Sequence, residues 1–504
     1  MKQQRVIVVG GGVGGLAAAT DLARHGAQVT VCERAAEPGG KMRQIAVAGA
    51  GVDAGPTVFT MRWIFEQLFV DAGDALERRL ELAPASILAR HAWRDGGTLD
   101  LHADVDRSAD AIAAFAGAAE ADGYRDFCRR SADVYRTLEQ SFIAAQRPSP
   151  VELVRRVGFG RLDAMWRTAP MQNLWGALGQ HFRDPRLRQL FGRYATYCGS
   201  SPLTAPATLM LVAHVEQDGV WQVRGGMRAV ALALAGLAER QGAELRVATE
   251  VSRILVKGGR ISGVQLASGE HLDADAVVFN GDVSALGSAL LGDDVRRAAP
   301  AVVPAARSLS AVTWCMKARI RGFDLEHHNV FFASDYPDEF RAIFDRREIT
   351  AAPTVYLCAQ DRGVLADAAS APSGREPERL LVLVNAPADG DSHRWSAAEI
   401  AELESRSFGL LRDCGLEFDR TDGDAIITTP TQFAELFPGS GGALYGRASA
   451  GAMSTFQRPG AQSSVAGLYL AGGSVHPGPG VPMAAMSGRL AAAQWLQDLR
   501  RARR

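Results

Sequence analysis

The spacing of apolar positions along the chain changes period several times, and each change predicts an element. Residues 5–9 form a short β-branched run after Arg5, apolar on both faces, which reads as a buried strand. An Ala/Leu-rich stretch after Gly15 predicts a helix, and a second β-branched run at 28–32 predicts a second strand, so residues 1–60 read β-α-β-loop-β. Residues 105–215 are mainly helical in pattern, with Val134, Leu138 and Phe142 at i, i+4 and i+8. Around them lie bulky apolar groups such as Phe127, Trp166, Trp175, Phe182 and Phe191.

Near Trp221 the character changes. A Gly225-Gly226-Met227 turn starts a helix carrying Val230, Leu234 and Leu237. Short strands follow at 244–248, 251–256, 261–266 and 276–280, and the last of them is apolar up to Asn280. Strands at 310–317, 355–359 and 380–385 predict a second, mixed sheet. At 467–471 a buried strand runs into a Gly/Pro turn and then a helix to about Leu499. The return of strand-turn-helix patterning predicts a discontinuous cofactor domain from 1–70, 220–290 and 445–504. A second domain of helices and mixed sheet is expected from 71–219 and 291–444. The fold class is α/β, with a Rossmann-like dinucleotide-binding domain.

The first turn carries the chemistry. Gly10, Gly12 and Gly15 stand in Gly-x-Gly-x-x-Gly spacing between strand and helix, with Gly14 inside it, and the second strand ends at Glu33. Gly10 makes the turn, Gly12 admits a pyrophosphate to the backbone, and Gly15 lets helix and strand pack closely. The helix N-terminus offers free N–H groups to phosphate. Glu33 can accept hydrogen bonds from a ribose hydroxyl.

Three further stretches favour FAD over NAD. Arg34 is followed by Gly39, Gly40, Lys41 and Met42, a glycine pair with a base just after the acid. Gly55, Pro56 and Thr57 close a strand beside the expected cofactor. Gly472, Gly473, Gly480, Pro482 and Met483 mark the late turn, a second helix N-terminus facing an electron-rich ring. Val251, opening a predicted strand, is also expected at the cofactor.

Composition excludes more than it identifies. At 504 residues the chain exceeds one ordinary core, and 47% hydrophobic with 22% charged residues is globular. A formal net charge of −1 gives no global attraction to nucleic acid. The six cysteines are dispersed and expected to be reduced. No 18-residue uncharged apolar run is present, so no spanning helix is expected. Arg500, Arg501, Arg503 and Arg504 form a basic end that could touch anionic lipid. Glu326-His327-His328 invites a metal reading, but adjacent side chains on one element are expected to point apart, so no metal is expected. Nucleophile-elbow, P-loop and zinc spacings are missing, which leaves the chemistry to the cofactor.

Taken together, 10–41, 53–57, Gly225-Gly226-Met227 and 472–483 resemble the bacterial phytoene-desaturase family of carotenoid oxidoreductases. The resemblance runs nearly the whole length. Stretches 55–61, 89–93, 184–201 and 207–216 resemble one branch, the 1-hydroxycarotenoid 3,4-desaturases. This implies FAD, a water-insoluble acyclic hydroxylated carotenoid substrate, and oxygen or a quinone as electron acceptor. It also implies a cytoplasmic enzyme lying peripherally on the inner or photosynthetic membrane. A polar group in an apolar tunnel would select the hydroxylated end, with His214 and Arg193 as candidates. Rival readings are a phytoene desaturase or isomerase of the same family, an amine oxidase, and a non-catalytic escort of prenylated proteins.

Overall fold

The computed structural model describes residues 3–158, 171–365, 376–419 and 425–502. Trp166, Arg503 and Arg504 lie outside them. A five-stranded parallel sheet is ordered Leu468–Leu470, Ala276–Phe279, Arg5–Val9, Gln28–Cys32, Glu244–Arg246. Val6 sits between Ala276 and Val29. Both faces of the first strand are covered, which explains its unbroken apolar run. Val6 and Val8 pack with Leu16, Leu234 and Ala491 of three helices, Val13–Arg24, Gly226–Arg240 and Val481–Ala502. Ile7 faces the opposite way, against Ile254 and Val264. Those two belong to a three-stranded antiparallel sheet, Val251–Lys257, Arg260–Leu266 and His271–Asp273.

An eight-stranded mixed sheet forms the second layer. Its path is Glu417–Asp419, Ser310–Arg321, Glu378–Ala386, Val355–Ala359, His328–Phe332, Ile87–Trp93, Thr98–His102, with Ala425–Thr428 also on Ser310–Arg321. Strand alternation divides its side chains. Val312, Trp314, Leu357 and Val382 join Leu403 and Leu410 of the helix Ala397–Asp413 in one core. Thr313, Leu381, Leu383 and Asn385 face a large cavity instead. The helix is fixed at its start by a reciprocal cap between Ser396 and Glu399.

Helices Val105–Ala116, Ala118–Leu138, Pro150–Val157, Leu174–His181, Pro185–Gly192 and Leu211–Asp218 make up most of the chain between the strands Thr98–His102 and Trp221–Val223. Phe127, Phe182 and Phe191 pack with ring centroids 4.7–5.5 Å apart. Val134, Leu138 and Phe142 are buried, as the stripe predicts. Phe142 lies past the α-helix, in a wider turn at Glu139–Ile143. Among the described residues no helix is long and apolar enough to cross a membrane.

Candidate active site

The first strand delivers Gly10 to a turn in which its amide donates to Cys32 O at 2.8 Å. Gly12 follows with φ −75° and ψ 176°, extended backbone open to any residue. A Cβ at Gly12 would meet only Asn280 Nδ2 at 3.1 Å and Gly40 Cα at 3.8 Å, so it would stand in the cavity rather than in the fold. Leu16 N donates to Gly12 O, and the amides before it have no partner within the helix. Those donors, beside a side-chain-free wall, fit an anionic diphosphate. Gly14 also lines the cavity, against Asn280 and the C-terminal helix. Gly15 does not: its Cβ would lie 2.1 Å from Gly10 O, so it serves the close packing of helix on turn.

Glu33 directly follows the second strand, 6% exposed, and both carboxylate oxygens are used. Oε2 accepts from Gly11 N at 2.7 Å and Oε1 from Ala35 N at 2.8 Å. The acid therefore braces the glycine turn, and each oxygen keeps a lone pair for a ribose hydroxyl. Gly39 N donates to Gly11 O at 2.9 Å, and Gly12 and Gly39 form a parallel bridge. The glycine pair thus doubles back over the first turn. Lys41 is held by Leu444 O and lies 5.1 Å above the Phe437 ring. Burial lowers its ammonium pKa. Arg34 reaches Glu435 O at 3.3 Å. Arg34, Met42, Gly55, Pro56, Thr57 and Val251 all stand on the same cavity wall.

The late turn closes the other side. Gly472 N donates to Ser487 Oγ at 2.7 Å, and Ala484 N to Gly480 O at 2.9 Å opens the last helix. Gly472, Gly473, Gly480, Pro482 and Met483 line the cavity. Asn280, unpredicted as a site residue, links both turns. Its Nδ2 donates to Gly10 O at 3.0 Å, and its Oδ1 lies where a Cβ at Gly472 would be 3.0 Å away. The available signal was a single polar residue capping an apolar strand, followed by Gly281-Asp282.

The cavity holds about 1880 Å³. Ordinary small-molecule pockets hold roughly 300–1,000 Å³, so there is room for a dinucleotide and a long second ligand. Beyond the glycine turns its wall becomes apolar, with Leu138, Phe142, Ile143, Leu153, Val212 and Val215. Arg193 stands on this wall, while His214 does not. His214 packs on Tyr135, ring centroids 5.0 Å apart.

His327 and His328 do not point apart as expected. Their ring centroids are 4.6 Å from each other, and His327 Nε2 is 3.6 Å from Cys358 Sγ. The reason is that His327 precedes the strand His328–Phe332, so strand alternation does not govern it. These three side chains bring their ligating atoms within 4.8 Å of one another. His327 Nδ1 is bonded to Arg362 O and His328 Nδ1 to the Tyr356 hydroxyl. These bonds already use one nitrogen of each ring.

Comparison with known proteins adds to this geometry. Residues 13–496 match the flavin-containing amine oxidoreductase family. The chain is 54% identical over 496 residues to hydroxyneurosporene desaturase of Rubrivivax gelatinosus, covering 98% of this chain and 93% of that protein. It is 29% identical over 504 residues to a 1-hydroxycarotenoid 3,4-desaturase of Flavobacterium sp., covering 97% and 98%. A solved putrescine oxidase variant superposes with a TM-score of 0.61 at 13% identity, covering 99% of each chain, which establishes the shared fold.

Proposed function

Because the chain belongs to the flavin-containing amine oxidoreductase family, and within it to the bacterial carotenoid desaturases, we propose that it desaturates the 3,4 position of 1-hydroxylated acyclic carotenoids. The observation that carries this reading is the continuity of the cavity. One end is a backbone cradle fit for a diphosphate, and the other is an apolar chamber fit for a polyene. The cofactor is FAD, which when bound supplies a hydride-accepting ring and storage for two electrons. Substrate oxidation balances as one hydride and one proton lost for one C=C bond gained. Oxygen or a quinone takes the electrons onward.

Each stretch of the wall has its task. Gly10, Gly12, Gly14, Gly39 and Gly40 receive the pyrophosphate, and Gly15 supports the turn from behind. Glu33 holds the ribose, with Arg34 and Val251 at that end. Lys41, Met42, Gly55, Pro56 and Thr57 flank the ring, and Gly472, Gly473, Gly480, Pro482 and Met483 face it from the opposite side. The apolar chamber excludes water from the reacting bond. Segments 1–70, 220–290 and 445–504 act as the cofactor domain, and 71–219 with 291–444 as the substrate domain. Two observations support this division: the parallel sheet draws its strands from the first set and the eight-stranded sheet from the second.

Substrate enters from the cytoplasmic face of a membrane on which the enzyme lies peripherally. Support comes from the cavity's apolar rim. Met171 is 83% exposed and Met453 52%, and both line the cavity, while Val151 beside Pro150 is 80% exposed. Carbonate and high-salt washes should release the protein from membranes, and retention through both would refute peripheral binding. For the reaction, the enzyme is given phytoene, neurosporene and 1-hydroxyneurosporene separately and products are followed by chromatography. Only the hydroxylated substrate should gain a double bond and shift to longer wavelength. Turnover of phytoene with none of the hydroxylated substrate would overturn the reading.

A further inference from the structure

One part of the apolar chamber is not apolar. Arg193, in the turn Arg193–Cys198, and Glu216, on the helix Leu211–Asp218, both line the cavity and are 6% and 4% exposed. They are joined through Tyr197: Arg193 Nη1 donates to its hydroxyl at 2.7 Å, and that hydroxyl donates to Glu216 Oε1 at 2.7 Å. Tyr194 donates to Glu216 Oε2 at 2.8 Å. The guanidinium lies 4.9 Å from the Tyr197 ring centroid. Nε and Nη2 of Arg193 have no hydrogen-bond partner among the described residues. Leu209, Val212 and Val215 flank the group on the wall.

A hydrocarbon chamber gains nothing from two buried opposite charges bridged by a tyrosine, which cost desolvation and leave donors unmet. The group makes sense beside a ligand that can answer it. An ionic head is disfavoured, since each sign of charge meets its like in Arg193 or Glu216. A neutral alcohol both accepts and donates. Its oxygen can take a guanidinium N–H while its proton goes to a carboxylate lone pair left open by the tyrosines. We propose that Arg193 and Glu216, tied by Tyr197, form the subsite that binds the tertiary hydroxyl of the substrate and sets the register of the polyene. The inference rests on the desaturase reading above.

Register is the second reason for such a subsite. A polyene in an apolar channel can slide, because every position along it buries similar surface. C1 and C3 are two carbons apart, so a hydroxyl held at C1 fixes the C3–C4 bond beside its anchor. The anchor must then lie near the cofactor side of the cavity. On the cofactor side the Tyr356 hydroxyl is 2.7 Å from Thr57 Oγ1. Arg193 lines the same cavity as Tyr356 and the Gly55-Pro56-Thr57 turn.

The test compares 1-hydroxyneurosporene with neurosporene, by kcat/KM and by quenching of tryptophan fluorescence on binding to the FAD-loaded enzyme. Arg193→Met/Glu216→Met removes both charges at once. Tyr197→Phe is the milder variant and is retained should the double variant fail to fold. Wild type should prefer the hydroxylated carotenoid. The double variant should lose that preference about 10- to 100-fold, the worth of one to two good buried hydrogen bonds, and Tyr197→Phe about 3- to 10-fold. Affinity for neurosporene should hold or improve. If wild type discriminates and a folded variant keeps the wild-type ratio in both readouts, the subsite is refuted while the desaturase reading stands. If wild type does not desaturate the hydroxylated carotenoid at all, both fall.

Discussion

Gly12→Ala is the cleanest probe of the cofactor cradle, because the structure separates its effect on FAD from its effect on folding. The backbone at Gly12 suits alanine, and the added methyl would touch no backbone atom closer than 3.8 Å. Its tightest neighbour is Asn280 Nδ2 at 3.1 Å, a side-chain group that must give by a few tenths of an ångström. The cost to the apoprotein should stay below about 1 kcal/mol. A diphosphate against the same wall has no such freedom, since the helix amides fix where it sits. Overfilling that contact costs about 1–3 kcal/mol, or a rise of about 5- to 150-fold in the FAD dissociation constant. Gly15→Ala is the opposite case. Its Cβ would lie 2.1 Å from Gly10 O, a backbone atom, so it should destabilise the apoprotein by at least about 3 kcal/mol. FAD fluorescence titration and apoprotein melting measure the two effects. Unchanged affinity in Gly12→Ala, or equal apoprotein destabilisation by both variants, would refute the reasoning.

Met483→Glu should slow flavin reduction while shifting the melting temperature little, since Met483 lines the cavity in the first turn of the last helix; normal reduction kinetics would count against the late turn facing the ring. Glu339 is buried and bonded to Asn385 and Thr354, and burial raises its carboxyl from 4.5 to about 7. The folded state therefore holds this proton to higher pH than the unfolded state. Its contribution is full below pH 4.5 and is lost as pH rises to about 7, by up to ~3 kcal/mol. Relative to Glu339→Gln, wild type should lose melting temperature between pH 5 and 7 and run parallel above; a constant gap would refute the shift. The six cysteines are free, and burial pushes Cys32, Cys128, Cys198 and Cys414 to about 11 and Cys315 to about 12, with Cys358 raised as well. Native protein at pH 8 should show no fast thiol titration, and a rapid stoichiometric phase would contradict these environments.

The sequence by itself determined the elements whose signals are local. The strand, glycine turn, helix and acid at 5–33 were legible because each needs a residue type at a fixed spacing, and the late strand-turn-helix was legible for the same reason. Strand edges were less so: 310–317 extends to Arg321, since pairing with Glu417–Asp419 lengthens it. Tertiary structure alone decided which of these residues face the cavity. Gly12 and Gly15 are both glycines of one motif, yet only Gly12 faces the cavity, while Gly15 packs the helix on the turn from behind. Asn280 becomes the link between two turns only when parallel strands from opposite ends of the chain lie side by side. His327 and His328 approach each other because one residue falls before a strand boundary that the sequence does not mark. Arg193 was one of two candidates for a polar group in the tunnel, and only folding sets it beside Glu216 on one apolar wall while leaving His214 off it. The physical reason is common to these cases: period and propensity act over a few residues, whereas burial and charge pairing are set by chain segments far apart in sequence.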